Sequence, residues 1–268
     1  MKTAIRLFFC LVFLAPGLAR ADVTIAPLRQ VLDSENTEAR FVVSNPSERI
    51  VSGEVSWIDL TATETGYADA TPSARQRMSA APWLALSPAQ FELSPGERIE
   101  VSVRLREGAK PPPGERRSHL LVVSAPARTL LRKAGHIGLQ VDIGAGVSTP
   151  VLLRGDGAAD VTIGETQLLR DTDGLLLLST TIVSSGEHSA FGSLTVEFNA
   201  DGAQAPQRLA ARDNVAAYID ATERRFELPL GFFSLGAGEL TIRYEGADEY
   251  NGRLFDERSF RIKPPDGP

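Results

Sequence analysis

Ile137, Leu139, Val141 and Ile143 stand at alternate positions in the stretch HIGLQVDIG at 136–144. In an extended strand successive side chains point to opposite faces, so these four share one face and Gly138, Gln140 and Asp142 the other. The chemistry open to such a row is burial. Four side chains of this size, pressed into an apolar groove, give roughly 6–12 kcal/mol gross at about 1.5–3 kcal/mol each, less the costs of association and ordering. Alternation alone more often marks an ordinary core strand.

Groups for covalent, metal or acid–base chemistry are scarce. His119, His136 and His188 are scattered, Cys10 is the one cysteine, and no HExxH, CxxC, GxSxG or GxxxxGK spacing occurs. His119 falls in an expected strand and reads as a structural hydrogen-bonding group. The acidic stretches RDTDG and EGADEYNG read as turns and lack the EF-hand spacing. No metal, cofactor or catalytic residue is expected, and no carboxylate pair for a hydrolase can be located. The chain is not expected to be an enzyme.

The elements around these residues read as strands. Short apolar runs are separated by Gly, Pro, Asn and Asp, the punctuation of all-β chains. Expected strands in the first half are 23–31, 38–44, 51–60, 83–86, 98–105, 119–124 and 137–143. In the fifth, Ile99, Val101, Val103 and Leu105 alternate with Glu100, Ser102 and Arg104. Residues 61–81, rich in Thr, Ala and Ser, read as a long mobile loop, and the Pro-rich 106–117 and the partly basic 125–136 as connections. The second half repeats the style at 160–168, 175–183, 193–198, 214–218, 225–229, 239–244 and 255–262. The expected fold is all-β, two tandem immunoglobulin-like β-sandwich domains at 22–150 and 151–264, with a short tail at 265–268.

Residues 1–21 read as a signal peptide. Lys2 and Arg6 precede an apolar run of twelve from Leu7 to Leu18, and Ala19 and Ala21 form the small-x-small cleavage pattern. Cleavage after Ala21 removes Cys10 with Lys2, Arg6 and Arg20, leaving 25 basic against 34 acidic residues and a net charge of −9. An acidic chain with no basic run is a poor partner for nucleic acid. No second apolar run is long enough for membrane insertion of the mature chain. With 43% apolar and 23% charged residues, the exported chain has the composition of a globular protein held by core burial without disulfides.

The opening VTIAPLRQVLDSENTEARFVVSNPS, the central LALSPAQFELSPGERIEVSVRL, the segment GERRSHLLV after a Pro-rich loop and the crossing VSTPVLLRGDG stand in an order and spacing that resemble the periplasmic chaperones of pilus (fimbrial) assembly, the PapD-like family. The resemblance covers nearly the whole mature chain. It implies a periplasmic chaperone that stabilises pilus or fimbrial subunits by donor-strand complementation and delivers them for assembly at the outer membrane, with an usher there as an implied further partner. It implies Ile137, Leu139, Val141 and Ile143 as the lent face, and Arg29 as an anchor for the subunit's C-terminal carboxylate. Ser148 and Thr149 stand where the family carries a second anchoring base, a Lys, which marks a divergent member. Glu115 and Arg154 resemble an interdomain salt-bridge pair. The alternative, from another class, is a structural surface protein: a fibre subunit or adhesin-like two-domain module.

Overall fold

The computed structural model describes residues 23–126 and 145–263. The expected leader, the tail, His136 and the row Ile137, Leu139, Val141 and Ile143 lie outside the described residues.

The fold is all-β, in two sandwiches, as the punctuation of the sequence indicates. The first is built from β1 (Thr24–Ala26), β2 (Gln30–Leu32), β3 (Glu38–Ser44), β4 (Val51–Ile58), β5 (Leu60–Ala62), β6 (Tyr67–Asp69), β7 (Leu84–Ser87), β8 (Gln90–Leu93), β9 (Arg98–Leu105), β10 (Glu115–Pro126) and β11 (Ala145–Arg154). One sheet has the order β1-β3-β9-β7 and the other β2-β11-β10-β4-β8, with β5 and β6 forming a separate hairpin. Period two puts the apolar sets face to face. Phe41 pairs with Val101 and Ala39 with Val103 in one sheet, Val122 pairs with Val55 in the other, and all are buried. Asn45, just past β3, is 1% exposed; its amide donates to the Arg49, Leu93 and Ser94 carbonyls, and its oxygen accepts from Ser47. That closes the loop after the strand without a buried orphan.

The second sandwich holds β12 (Val161–Arg170), β13 (Leu176–Ser184), β14 (Ala190–Ala200), β15 (Gln207–Ala217), β16 (Glu223–Gly231), β17 (Gly238–Gly246) and β18 (Leu254–Ile262). Its sheets run β12-β13-β16 and β15-β14-β17-β18. Its core is separate from the first and centres on Ile163, Leu178, Ile182, Leu194, Ile242 and Tyr244, whose hydroxyl donates to the Val215 carbonyl.

Several elements depart from the sequence reading. The strand expected at 23–31 is two, because Pro27 has no N–H to continue a ladder; β1 pairs with β3 and β2 crosses to pair in parallel with β11. The expected loop at 61–81 holds the β5–β6 hairpin and a helix, α1 (Pro72–Met78), capped by Thr71 Oγ1 accepting from the Ala74 N–H at 3.2 Å. Its signal was the Thr-Pro start; it buries only Ala74, so no apolar period announced it. The connection expected to end at 117 stops at Gly114, and Glu115–Arg117 already pair with Leu152–Arg154. β11 runs unbroken across Pro150 to Arg154, so the first sheet ends beyond the border read at 150.

Candidate functional site

Two features stand out on β10 and β11. The first is a free edge. β10 pairs with β11 from Ala145 to Arg154, whereas β2 covers the other side of β11 only at Val151, Leu152 and Leu153. Among the described residues, the backbone of 145–150 is therefore bonded on one side and open on the other. Gly146 and Ser148 are exposed and Val147 is half-buried against the core. Thr149 and Ser124 are each 1% exposed, and their hydroxyls have no partner among the described residues.

The second feature is the foot of the same hairpin, where the second sandwich packs. Odd-numbered positions of β10 put Glu115, Arg117 and His119 on the outer face of the sheet, and each is buried there. Arg154, across the strand pair from Glu115, donates to Glu115 Oε2 at 2.9 Å, to Glu249 Oε1 at 2.7 Å and to the Ser189 carbonyl at 2.8 Å. Glu115 also accepts from the Ser189 N–H and hydroxyl. Glu115 and Arg154 are thus brought together inside one sheet, and their link to the second sandwich runs through Ser189 and Glu249. Arg29 donates from both terminal guanidinium nitrogens to the Glu249 carboxylate, at 2.8 and 2.7 Å, over the ring of Phe191 at 4.7 Å. Burial pushes the Glu249 carboxyl up, but the hydrogen bonds and charge of Arg29, with Arg154 behind them, outweigh it and hold it at about 2.

A second clamp is more deeply buried. Arg117 grips Asp220 through two bonds of 2.9 and 2.7 Å, with side-chain exposures of 1% and 3%. Arg117 also donates to the Leu60 carbonyl, and Asp220 accepts from the Ala62 N–H at 2.6 Å, so the β5 strand is bound into the same joint. The Arg117 guanidinium lies 4.0 Å from the centroid of Tyr218. At the tip of the β5–β6 hairpin, the Arg225 guanidinium donates to the Glu64 carboxylate at 2.6 Å. A small apolar cluster of Ala62, Phe191, Ala216, Tyr218 and Ala221 fills the joint.

His119 is 2% exposed beside this clamp, edge-on to Tyr67 at 5.3 Å, and neither ring nitrogen has a partner among the described residues. Burial, aided by the charge of Arg117, lowers its pKa from 6.5 to about 4, against a weaker opposite pull from Asp220. The folded chain keeps the ring neutral where the unfolded chain protonates it, so unfolding takes up a proton between about pH 6.5 and 4. Stability is then complete above pH 6.5 and falls as pH drops toward 4. Urea unfolding is expected to show a loss of about 2–3 kcal/mol between pH 7 and 4.5, and His119→Phe to flatten that slope. An unchanged slope in the variant would assign the acid sensitivity to another group.

Arg117, Asp220, Ser189, Tyr67, Tyr218 and Glu249 were not singled out from the sequence. One signal was present for the first: Glu115, Arg117 and His119 alternate into an apolar strand, an outer face with charges evenly placed. Asp220 lies in a turn and Glu249 in a single 3₁₀ turn, Asp248–Tyr250, where an acidic residue announces nothing more than a turn. The described residues hold no cluster of His, Cys, Asp or Glu able to bind a metal ion, and no helix among them is long and apolar enough to cross a membrane.

No known family profile matches the chain, and no curated protein matches it. Solved structures similar to it include the YadV chaperone, at 10% identity and a TM-score of 0.46, with 90% of this chain and 100% of that chain covered. The CupB2 chaperone of Pseudomonas aeruginosa is similar at 12% identity and a TM-score of 0.44, over 90% and 100% of the two chains. The SafB chaperone in complex with the SafA pilin, from Salmonella enterica, is similar at 11% identity and a TM-score of 0.43, over 91% and 98%.

Proposed function

We propose that this chain is a periplasmic chaperone that holds pilus or fimbrial subunits by lending them the strand Ile137–Ile143, and passes them on for assembly at the outer membrane. The observation that carries the reading is the one-sided pairing of β11 between Ala145 and Pro150. An open row of N–H and C=O groups is what a partner lacking a strand requires, and an exposed edge is otherwise a liability. The row Ile137, Leu139, Val141 and Ile143 leads directly into that edge. All four are odd-numbered, like Val147, Val151 and Leu153, which pack toward the first core. A strand continued backward from β11 would carry the four on that same face.

The remaining assignments follow from this reading. The chain divides into an exported leader at 1–21 and two domains that meet after Arg154. Arg29 serves as the anchor for a subunit's terminal carboxylate, which would exchange with Glu249, the group that now holds both Arg29 and Arg154. Ser148 and Thr149 stand where the resemblance places a second anchoring base, and the buried Thr149 hydroxyl has no partner among the described residues. Glu115 and Arg154 hold the foot of the lending hairpin against the second domain.

The test is co-expression with a fibre subunit that lacks one strand of its sandwich. A soluble one-to-one complex is expected, with the chain by itself a soluble monomer or a dimer that caps its own edge. Self-polymerisation of the purified chain would instead favour a fibre subunit.

A further inference from the structure

A cavity of about 270 Å³ opens between α1, the start of β10 and the turn after Tyr218, so that both domains contribute to its wall. Met78 and Ile219 give it an apolar side. Four charged residues line it: Arg77, Arg116, Glu115 and Asp220. The two carboxylates are already committed. Glu115 is bonded by Arg154 and by the N–H and hydroxyl of Ser189. Asp220 is bonded by both terminal nitrogens of Arg117 and by the Ala62 N–H. The two arginines are not: among the described residues neither Arg77 nor Arg116 has a hydrogen-bond acceptor, and Arg116 Nε is buried with none. Arg116 is set in place from behind by Trp83, whose ring centre lies 5.9 Å from its Cζ.

Two uncommitted guanidinium groups facing one small cavity, with the local carboxylates neutralised, leave an excess of positive charge in a partly dehydrated space. Like charges repel there more than they do in water. A group with two or three anionic oxygens relieves this, because the guanidinium fork matches carboxylate and phosphate oxygens in pairs. We propose that this interdomain cavity is a binding site for a small oxyanion, a carboxylate or a phosphate, held by Arg77 and Arg116. It is separate from the Arg29–Glu249 pair and does not depend on strand donation.

The exported chain, titrated calorimetrically at constant ionic strength, is expected to bind sodium acetate or inorganic phosphate saturably and sodium chloride not at all. Response to acetate alone identifies an acidic side chain or chain terminus as the source of the carboxylate; response to phosphate as well identifies a free oxyanion. Arg77→Gln and Arg116→Gln should each weaken binding by about tenfold or more, the loss of one charge-assisted pair. Arg77 is exposed on its helix, so its variant decides the matter if Arg116→Gln fails to fold. Heats no different from those of chloride, or oxyanion binding unchanged in Arg77→Gln, overturn the proposal.

Discussion

Leu139→Asp combined with Val141→Asp is expected to abolish capture of a subunit while leaving the chain folded. Each of the two side chains would contribute about 1.5–3 kcal/mol to an apolar groove, so removing both costs roughly 3–6 kcal/mol. Two carboxylates facing the groove add a desolvation cost. Even the lower figure corresponds to more than a hundredfold in affinity. The core of the first sandwich, as described, is made by Phe41, Val101, Val103, Leu120, Val122 and Val151 together with their neighbours. On the donor-strand reading both substituted side chains serve the partner's groove, so the melting temperature of the double variant should stay within a few degrees of the parent, and co-purification with the subunit should vanish. A variant that still co-purifies, or one that no longer folds, would place these residues in an ordinary core strand.

Arg117→Ala carries the second large effect, on stability and on the domain joint. Removing one partner of a buried ion pair leaves the other charged and unpaired, which costs about 3–5 kcal/mol. Here the orphan is Asp220, 3% exposed at its side chain and left with the Ala62 N–H alone. Tyr218 also loses the guanidinium 4.0 Å from its ring centroid. The second variant, Arg117→Ala with Asp220→Asn, removes the stranded charge and should recover a substantial part of the loss. Solution scattering should report a wider spread of domain angles in the single variant, since Arg117 ties the first sheet, the β5 strand and the second sandwich together. A loss below 1 kcal/mol with unchanged scattering would show that the Arg29–Glu249–Arg154 network fixes the joint without it.

Strand positions were legible in the sequence wherever period two met clear punctuation. Residues 38–44 and 98–105 alternate cleanly and end at Asn-Pro or follow Pro-Gly, and β3 and β9 have those bounds. The helix at Pro72–Met78 was not legible, because a seven-residue helix that buries one alanine has no apolar stripe. The strand Gln90–Leu93 is illegible for a related reason: it has four residues and puts only Phe91 and Leu93 into the core. The joint was legible least of all. A lone Asp220 or Glu249 in a turn has its partner, Arg117 or Arg29, about one hundred or more residues away in the chain. Pairing them requires the fold first. Arg29 shows the same limit in another form, since the family resemblance singles out the arginine with no sign that a carboxylate of the same chain holds it.

The central claim is that the ribbon from Ile137 through Pro150 adds itself to a partner's open sheet. Backbone amide hydrogen exchange, measured on the chain alone and in complex with a co-expressed subunit, tests it most directly. Pairing along the open edge should slow exchange in one continuous block across 137–150, with β4 and β9 unchanged. Equal exchange across that block in the free and bound chain, with protection appearing elsewhere, would contradict it.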